Sequence, residues 1–212
     1  LDPLITVPRF KNLYTIGALV ASGYYEFKGF DAGPVFSVLG YNDVEGLRLR
    51  LGGRTYFGQN DMWRLEGFGA YGFKDEKFKY GLSGKVLLSK KNRKILFGGH
   101  RKDIEQTGAS LTNSNDVLGR NRASSGLVTI GANDRLTNIE LFTLGYEMEP
   151  AKNFIFRITG SHRTLKSASG TFSLSYYDKN GTINDVLKQS ELELGINYTP
   201  GRKTSGYGVE RK

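Results

Sequence analysis

The sequence predicts an all-β chain. Its fold class is an antiparallel transmembrane β-barrel, or a roughly ten-strand part of a larger one, with residues 1–212 as a single domain. Three observations predict it. Apolar and polar residues alternate with period two through most of the chain, and helical periodicity is nearly absent. Turn-forming clusters punctuate the alternating segments at regular intervals. The longest apolar stretch, Ile16 to Ala21, is far short of the roughly 20 residues that a helix needs to cross a bilayer. A strand crosses with about 9–11 residues and needs only every second one apolar.

Composition bounds the alternatives. The chain has 28 Gly, 13 Phe and 12 Tyr but only 5 Pro, and its glycines are interleaved with aromatics, which argues against disorder. With no Cys there is no disulfide scaffold and no thiolate metal or nucleophile chemistry. Lys and Arg number 30 against 21 Asp and Glu, a formal charge of +9. Such a surface suits nucleic acid, anionic headgroups, or simply solvated loops. The nearest basic runs, Lys90-Lys91-Asn92-Arg93-Lys94 and the Arg120–Arg122 region, are too short for a nucleic-acid arm, and the first sits at an expected turn. No nucleic-acid partner is expected. Leu1-Asp2-Pro3-Leu4 has neither the basic start nor the apolar core of a signal peptide.

In chain order, strands are expected over 14–27 and 31–41, then from Leu47 to Phe57, where Leu47, Leu49 and Leu51 alternate with Arg48, Arg50 and Arg54. Gly58-Gln59-Asn60-Asp61 turns the chain into Met62–Phe73, Lys74–Lys77 turns it into Phe78–Leu88, and Lys90–Arg93 turns it again. Further strands are expected over 94–106, 136–148, 154–167, 171–178 and 187–199, with Asn180-Gly181 as a hairpin turn. Residues 107–135, rich in Ser, Asn, Gly and Arg, are expected to form a long surface loop.

Neighbouring strands must place their apolar residues on one face, which tests the pairing. With Phe57 opposite Trp63, Leu51 faces Gly69, Leu49 faces Tyr71, Leu47 faces Phe73, and Arg54 faces Glu66. With Phe73 opposite Phe78, Tyr71 meets Tyr80, Leu65 meets Val86, and Glu66 meets Lys85. Arg54, Glu66 and Lys85 then form one charged row, with Arg48, Arg50, Arg64 and Lys79 nearby. A cation facing lipid at mid-bilayer costs about 2–4 kcal/mol. The expected outer face is therefore Leu47, Leu49, Leu51, Leu65, Leu82 and Val86, toward lipid, with the charged residues in a polar, cationic lumen. Phe57 and Trp63 at one end, and Tyr71, Phe73, Phe78 and Tyr80 at the other, are expected to form aromatic girdles. The competing reading is a soluble β-barrel or sandwich binding module whose leucine face is its core.

Gly33-Pro34, then Tyr41 through Thr55, then Tyr71 through Tyr80 resemble a Bacteroidota family of outer-membrane proteins. In that family a barrel domain of unknown function follows a carboxypeptidase-regulatory-like domain. The resemblance is specific over 33–88 and collinear over 136–200, where Ser190-Glu191-Leu192 and Asn197 through Gly201 look like a later strand and its exit. It implies a bacterial outer-membrane address, a signal peptide and regulatory-like domain ahead of the barrel, and further strands after residue 212. The final Gly208-Val209-Glu210-Arg211-Lys212 lacks an aromatic-ended closing strand, so the chain is expected to be part of a larger barrel.

Catalysis has little footing. His100 and His162 do not make a zinc spacing, so neither a metal nor a cofactor is expected. Ser161-His162 suggests an outer-membrane lipid enzyme, but adjacent strand residues point to opposite faces. Gly67-Phe68-Gly69 lies inside an expected strand with no helix after it, so a dinucleotide loop fails. A structural, transport or envelope-assembly role is expected. Its expected partners are outer-membrane lipid and other envelope proteins.

Overall fold

The computed structural model describes residues 8–55, 62–107, 118, 135–170 and 172–201. Helix α1 (Pro8–Ser22) leads into a short hairpin of β1 (Tyr25–Phe27) and β2 (Phe30–Ala32), then a 3-10 turn over Val35–Ser37 and β3 (Leu39–Asn42). The long strands follow: β4 (Gly46–Arg54), β5 (Trp63–Gly72), β6 (Lys77–Ser89), β7 (Lys94–Gln106), β8 (Leu136–Ala151) and β9 (Phe154–Ser167). A small hairpin of β10 (Tyr176–Tyr177) and β11 (Ile183–Asn184) precedes β12 (Val186–Tyr198).

The fold is all-β and antiparallel, as expected. Ten strands share one sheet in the order β1-β2-β4-β5-β6-β7-β8-β9-β12, with β3 also paired to β4. The sheet is not closed: among the described residues β12 carries no strand on its second edge.

Turn chemistry sets the hairpins. Asn42 Oδ1 accepts the backbone N–H groups of Val44 and Glu45, and Gly46 takes the left-handed conformation at φ +62°, which tightens the β3–β4 turn. Glu76, Arg93 and Asn153 adopt positive φ in the β5–β6, β6–β7 and β8–β9 turns.

Several expectations are corrected. Residues 14–27 were expected to be a strand, but α1 occupies most of that segment. The apolar run Ile16–Ala21 has no alternation, Pro8 sits at the helix start, and Gly23 closes the end at φ +73° with its N–H on the Leu19 carbonyl. The expected strand 31–41 is broken into β2, the 3-10 turn and β3. Among the described residues of 171–178, strand pairing is confined to Tyr176–Tyr177, in a hairpin apart from the main sheet. Asn180-Gly181 does turn that hairpin, with Gly181 at φ +77°. Phe57 and the turn 58–61 lie outside the described residues.

The β4–β5 register is as expected: Leu49 opposes Tyr71, Leu51 opposes Gly69, and Arg54 opposes Glu66. The β5–β6 register is displaced by two residues. Tyr71 opposes Phe78 and Trp63 opposes Val86, so Glu66 meets Ser83 and Lys85 meets Arg64. The four-residue turn is Phe73–Glu76 rather than 74–77, because Glu76 takes the left-handed position and Asp75 Oδ1 accepts the N–H of Lys77. An even shift leaves every side chain on its expected face. Only the partners change.

Over most of the sheet one face is buried and the other exposed; Ile104 and Leu136, at the end of β7 and the start of β8, share the outer-facing parity of Lys102 and Glu140 but are buried. Leu118, from the long 107–135 connection, packs against Phe68 and Ala70 on the buried face. The rest of the expected surface loop, residues 108–117 and 119–134, lies outside the described residues.

Candidate functional site: an internal charge network

The buried face carries charge. At the end of the sheet bearing the 43–45 and 73–76 turns, Arg48 and Lys79 are gathered around three carboxylates. Arg48 Nη1 donates to Glu45 Oε1 at 3.0 Å, and its Nη2 lies 2.8 Å from Asp103 Oδ1. Lys79 Nζ lies 2.6 Å from Glu45 Oε1 and 2.7 Å from Asp75 Oδ2. Asn42 Nδ2 donates to Glu45 Oε2 at 2.6 Å, so the residue that shapes the turn also holds the carboxylate. Asp103 Oδ1 accepts the N–H of Ile104. Arg48, Glu45 and Asp103 are all but inaccessible, and burial at this level requires that each charge be paired and hydrogen-bonded.

Two further interior pairs stand beside this cluster. Arg101 donates to Glu105 at 2.7 Å, four residues along β7 on the same face. Arg163 on β9 binds Glu191 on β12 and approaches Ser161 Oγ at 3.4 Å. Toward the other end of the sheet, Arg54 Nε donates to Asp31 at 3.0 Å and its guanidinium lies 3.8 Å over the Tyr24 ring. Arg64 reaches Glu66 at 3.3 Å, and Arg157 pairs with Glu147. Apolar groups separate these charged regions. Phe68 lies under the Arg50 guanidinium at 3.7 Å, and Ile139, Leu141 and Leu165 pack with Leu174 and Leu187.

The expected interior residues divide accordingly. Arg48 and Arg50 are buried, Arg54, Arg64 and Glu66 are half-buried, and Lys85 is exposed near the edge of the interior with its Nζ 5.9 Å from the Phe97 ring. The single row Arg54–Glu66–Lys85 is replaced by the pairs Arg54–Asp31 and Arg64–Glu66, because the displaced β5–β6 register carries Lys85 past Glu66. Sequence reasoning missed Asn42, Glu45, Asp75, Asp103, Glu105, Arg101 and Arg163. Arg101, Asp103 and Glu105 were detectable, since they occupy alternate positions of an expected strand and so share a face.

All of the residues expected to face outward, Leu47, Leu49, Leu51, Leu65, Leu82 and Val86, are exposed on the opposite face. So are the described aromatics Trp63, Tyr71, Phe73, Phe78 and Tyr80. Tyr71, Phe73, Phe78 and Tyr80 cluster around the 73–76 turn, and Trp63 stands at the far end of β5. Ser161 and His162 diverge as adjacent strand residues must. His162 Nδ1 instead lies 2.9 Å from Ser190 Oγ across the β9–β12 pairing, on the exposed face, and among the described residues no carboxylate orients its ring.

The fold and this site together define a class: a single antiparallel sheet with a charged, ion-paired interior and an apolar exterior. No family model, curated protein or solved structure matches the chain.

Proposed function

We propose that this chain is an integral β-barrel domain of a bacterial outer membrane, with its outer face against lipid and its polar interior forming the lumen. The observation that carries the reading is the inversion of burial. Arg48 is 1% exposed, whereas Leu51 is 63%, Leu82 is 57% and Leu192 is 67% exposed. Folding in water hides apolar surface, and soluble monomers rarely leave a contiguous apolar patch of more than a few hundred Å² uncovered. An apolar outer face spread over seven consecutive long strands needs a hydrocarbon solvent. The strands suit that solvent: β6, β7 and β12 each have 13 residues, beyond the roughly 9–11 that cross a bilayer.

The outer-membrane address and the affinity to the Bacteroidota barrel family are supported by the resemblance over residues 33–88. The role that fits is structural, transport-related, or accessory to envelope assembly, with the ion-paired interior holding the strands in register. Membrane fractionation and gel mobility test the reading. The protein is expected to leave the outer-membrane fraction only with detergent, and to migrate differently before and after boiling. A monodisperse protein in detergent-free buffer would overturn it.

A further inference from the structure

Resting on the membrane reading, we infer that lipid contacts this sheet along a diagonal belt, so that the strands cross the bilayer at about 35–45°. In this arrangement the β8–β12 side of the end bearing the 107–135 connection stands clear of the membrane.

The inference comes from following the hydrogen-bonded rows across the sheet. One row on the outer face runs Leu51–Gly69–Tyr80–Lys102–Glu140–Thr164–Lys188. It begins among the leucines of β4 and ends on charged or polar groups. Four residues away along the strands, a second row begins at Thr55 on the edge of β4 and runs Leu65–Gly84–Gly98–Leu144–Gly160–Leu192. It begins polar and ends apolar. The apolar segment therefore slides along the strands as the sheet is crossed.

The rate of sliding is measurable. The outer apolar residues centre on Leu49 in β4 and on the Leu194–Ile196 midpoint in β12. Against the row that joins Leu51 to Lys188, the centre moves by about nine residues in six strand-to-strand steps. From β6, whose outer apolar residues extend from Phe78 to Leu88, to β12, the rate is nearer one residue per step. At about 3.3 Å per residue and about 4.8 Å per strand, one to one and a half residues per step is a slant of about 35–45°. That is the strand tilt which closure of a membrane barrel requires.

Belt height gives a second check. The ten-residue advance from Phe78 to Leu88, inclined at about 40°, spans about 25 Å, the height of an outer-membrane apolar band. A face evolved to cover another protein layer has no reason to follow this slope. Beyond the belt, on the same outer face, stand Lys102, Glu140, Lys166 and Lys188, and with them the connections that leave β7 and β9.

The chain has no cysteine, so single cysteines at Leu51, Lys188 and Leu194 report without interference. Each carries an environment-sensitive fluorophore, and the protein is folded into phosphatidylcholine vesicles with bromine at defined acyl depths. The probes at 51 and 194 are expected to be quenched at similar depth, while the probe at 188 keeps its full emission although it shares a row with 51. Quenching at 51 and 188 alike, with none at 194, would place the belt along the row and overturn the slant. No quenching at any position would remove the membrane reading itself. Heat-modified mobility checks folding, and Leu49 or Leu192 replaces a position whose variant fails that check.

Discussion

Arg48 on β4 and Asp103 on β7 meet at 2.8 Å although β5 and β6 lie between their strands. In a flat sheet the two backbones would be about 14 Å apart, with side chains standing parallel and perpendicular to the sheet. The contact closes only because the sheet curls about its buried face and aims the two side chains at each other. Glu45 and Lys79 reinforce the same curvature by joining the β3–β4 turn to β6. The ion network is thus a clamp on curvature, tying together elements that are not hydrogen-bonded neighbours.

Removing one partner of this clamp leaves a buried charge uncompensated, which costs about 3–5 kcal/mol. Asp103→Asn and Glu45→Gln are each expected to lower unfolding free energy by that order in detergent micelles. Tyr and Trp63 fluorescence during urea titration measures it. The double variant Arg48→Met/Asp103→Leu is expected to recover most of the loss, since it removes both charges together. Equal destabilisation by the single and double variants would show that the clamp acts through packing and not through charge.

Glycine placement gives a second contrast on adjacent strands. A Cβ at Gly145 would lie 2.3 Å from the Phe97 ring and 2.9 Å from the Ile158 carbonyl oxygen, whereas one at Gly160 meets only the Leu144 carbonyl at 3.9 Å. Gly145 is where the Phe97 ring covers the backbone. Gly145→Ala is expected to cost about 1–3 kcal/mol by overpacking. Gly160→Ala is expected to be neutral or to stabilise by up to about 1 kcal/mol through the unfolded chain. The same urea titration decides between them.

How much of this was legible in the sequence follows from which interactions are periodic. Leu47, Leu49, Leu51 and their arginine neighbours announced the two faces of β4, because strand period alone decides which side each occupies. Glu45 could not be found that way: it sits in a turn, and its role depends on Asn42 bending the backbone so that its carboxylate points inward. The β5–β6 register hinged on which of Phe73 and Glu76 opens and closes a four-residue turn, a choice made by Asp75 and by the left-handed Glu76. Faces survive such a shift and pairs do not, so the interior was predictable as charged while its partners were not. Helix α1 was not legible because a six-residue apolar run fits a buried strand as well as a helix.

Outside the sheet, Asp178 organises the β10–β11 hairpin. Its carboxylate accepts the N–H groups of Thr182 at 2.9 Å and Asn180 at 2.8 Å, and these bonds hold its pKa below the ordinary 3.8. A folded-state pKa below the unfolded one means that the stabilisation is fully present above 3.8 and is lost as pH falls through the depressed value. Amide hydrogen exchange at Thr182 is expected to accelerate only under those acid conditions, beyond the intrinsic pH dependence of exchange. In Asp178→Ala the Thr182 amide is expected to be unprotected at every pH. Protection that persists in the variant would assign the turn to Gly181, whose φ of +77° closes it, and not to the carboxylate.

The solvent of the outer face can be decided by one substitution measured twice. Leu82 lies near the middle of the β6 apolar segment and is 57% exposed. In water, replacing so exposed a leucine with arginine would change stability by no more than about 0.5 kcal/mol, since surface substitutions seldom do more. At the centre of a bilayer the same replacement costs about 2–4 kcal/mol, because the guanidinium must be dragged to the interface or hydrated by a membrane defect. Leu82→Arg is therefore expected to destabilise the protein by that amount in phosphatidylcholine vesicles. The penalty should shrink in short-chain detergent micelles, where water reaches the belt more easily. Lys188→Leu should go the other way if that position lies outside the hydrocarbon: no stabilisation in vesicles, despite the added apolar surface. A Leu82→Arg protein as stable in vesicles as the parent would mean that this face never meets lipid.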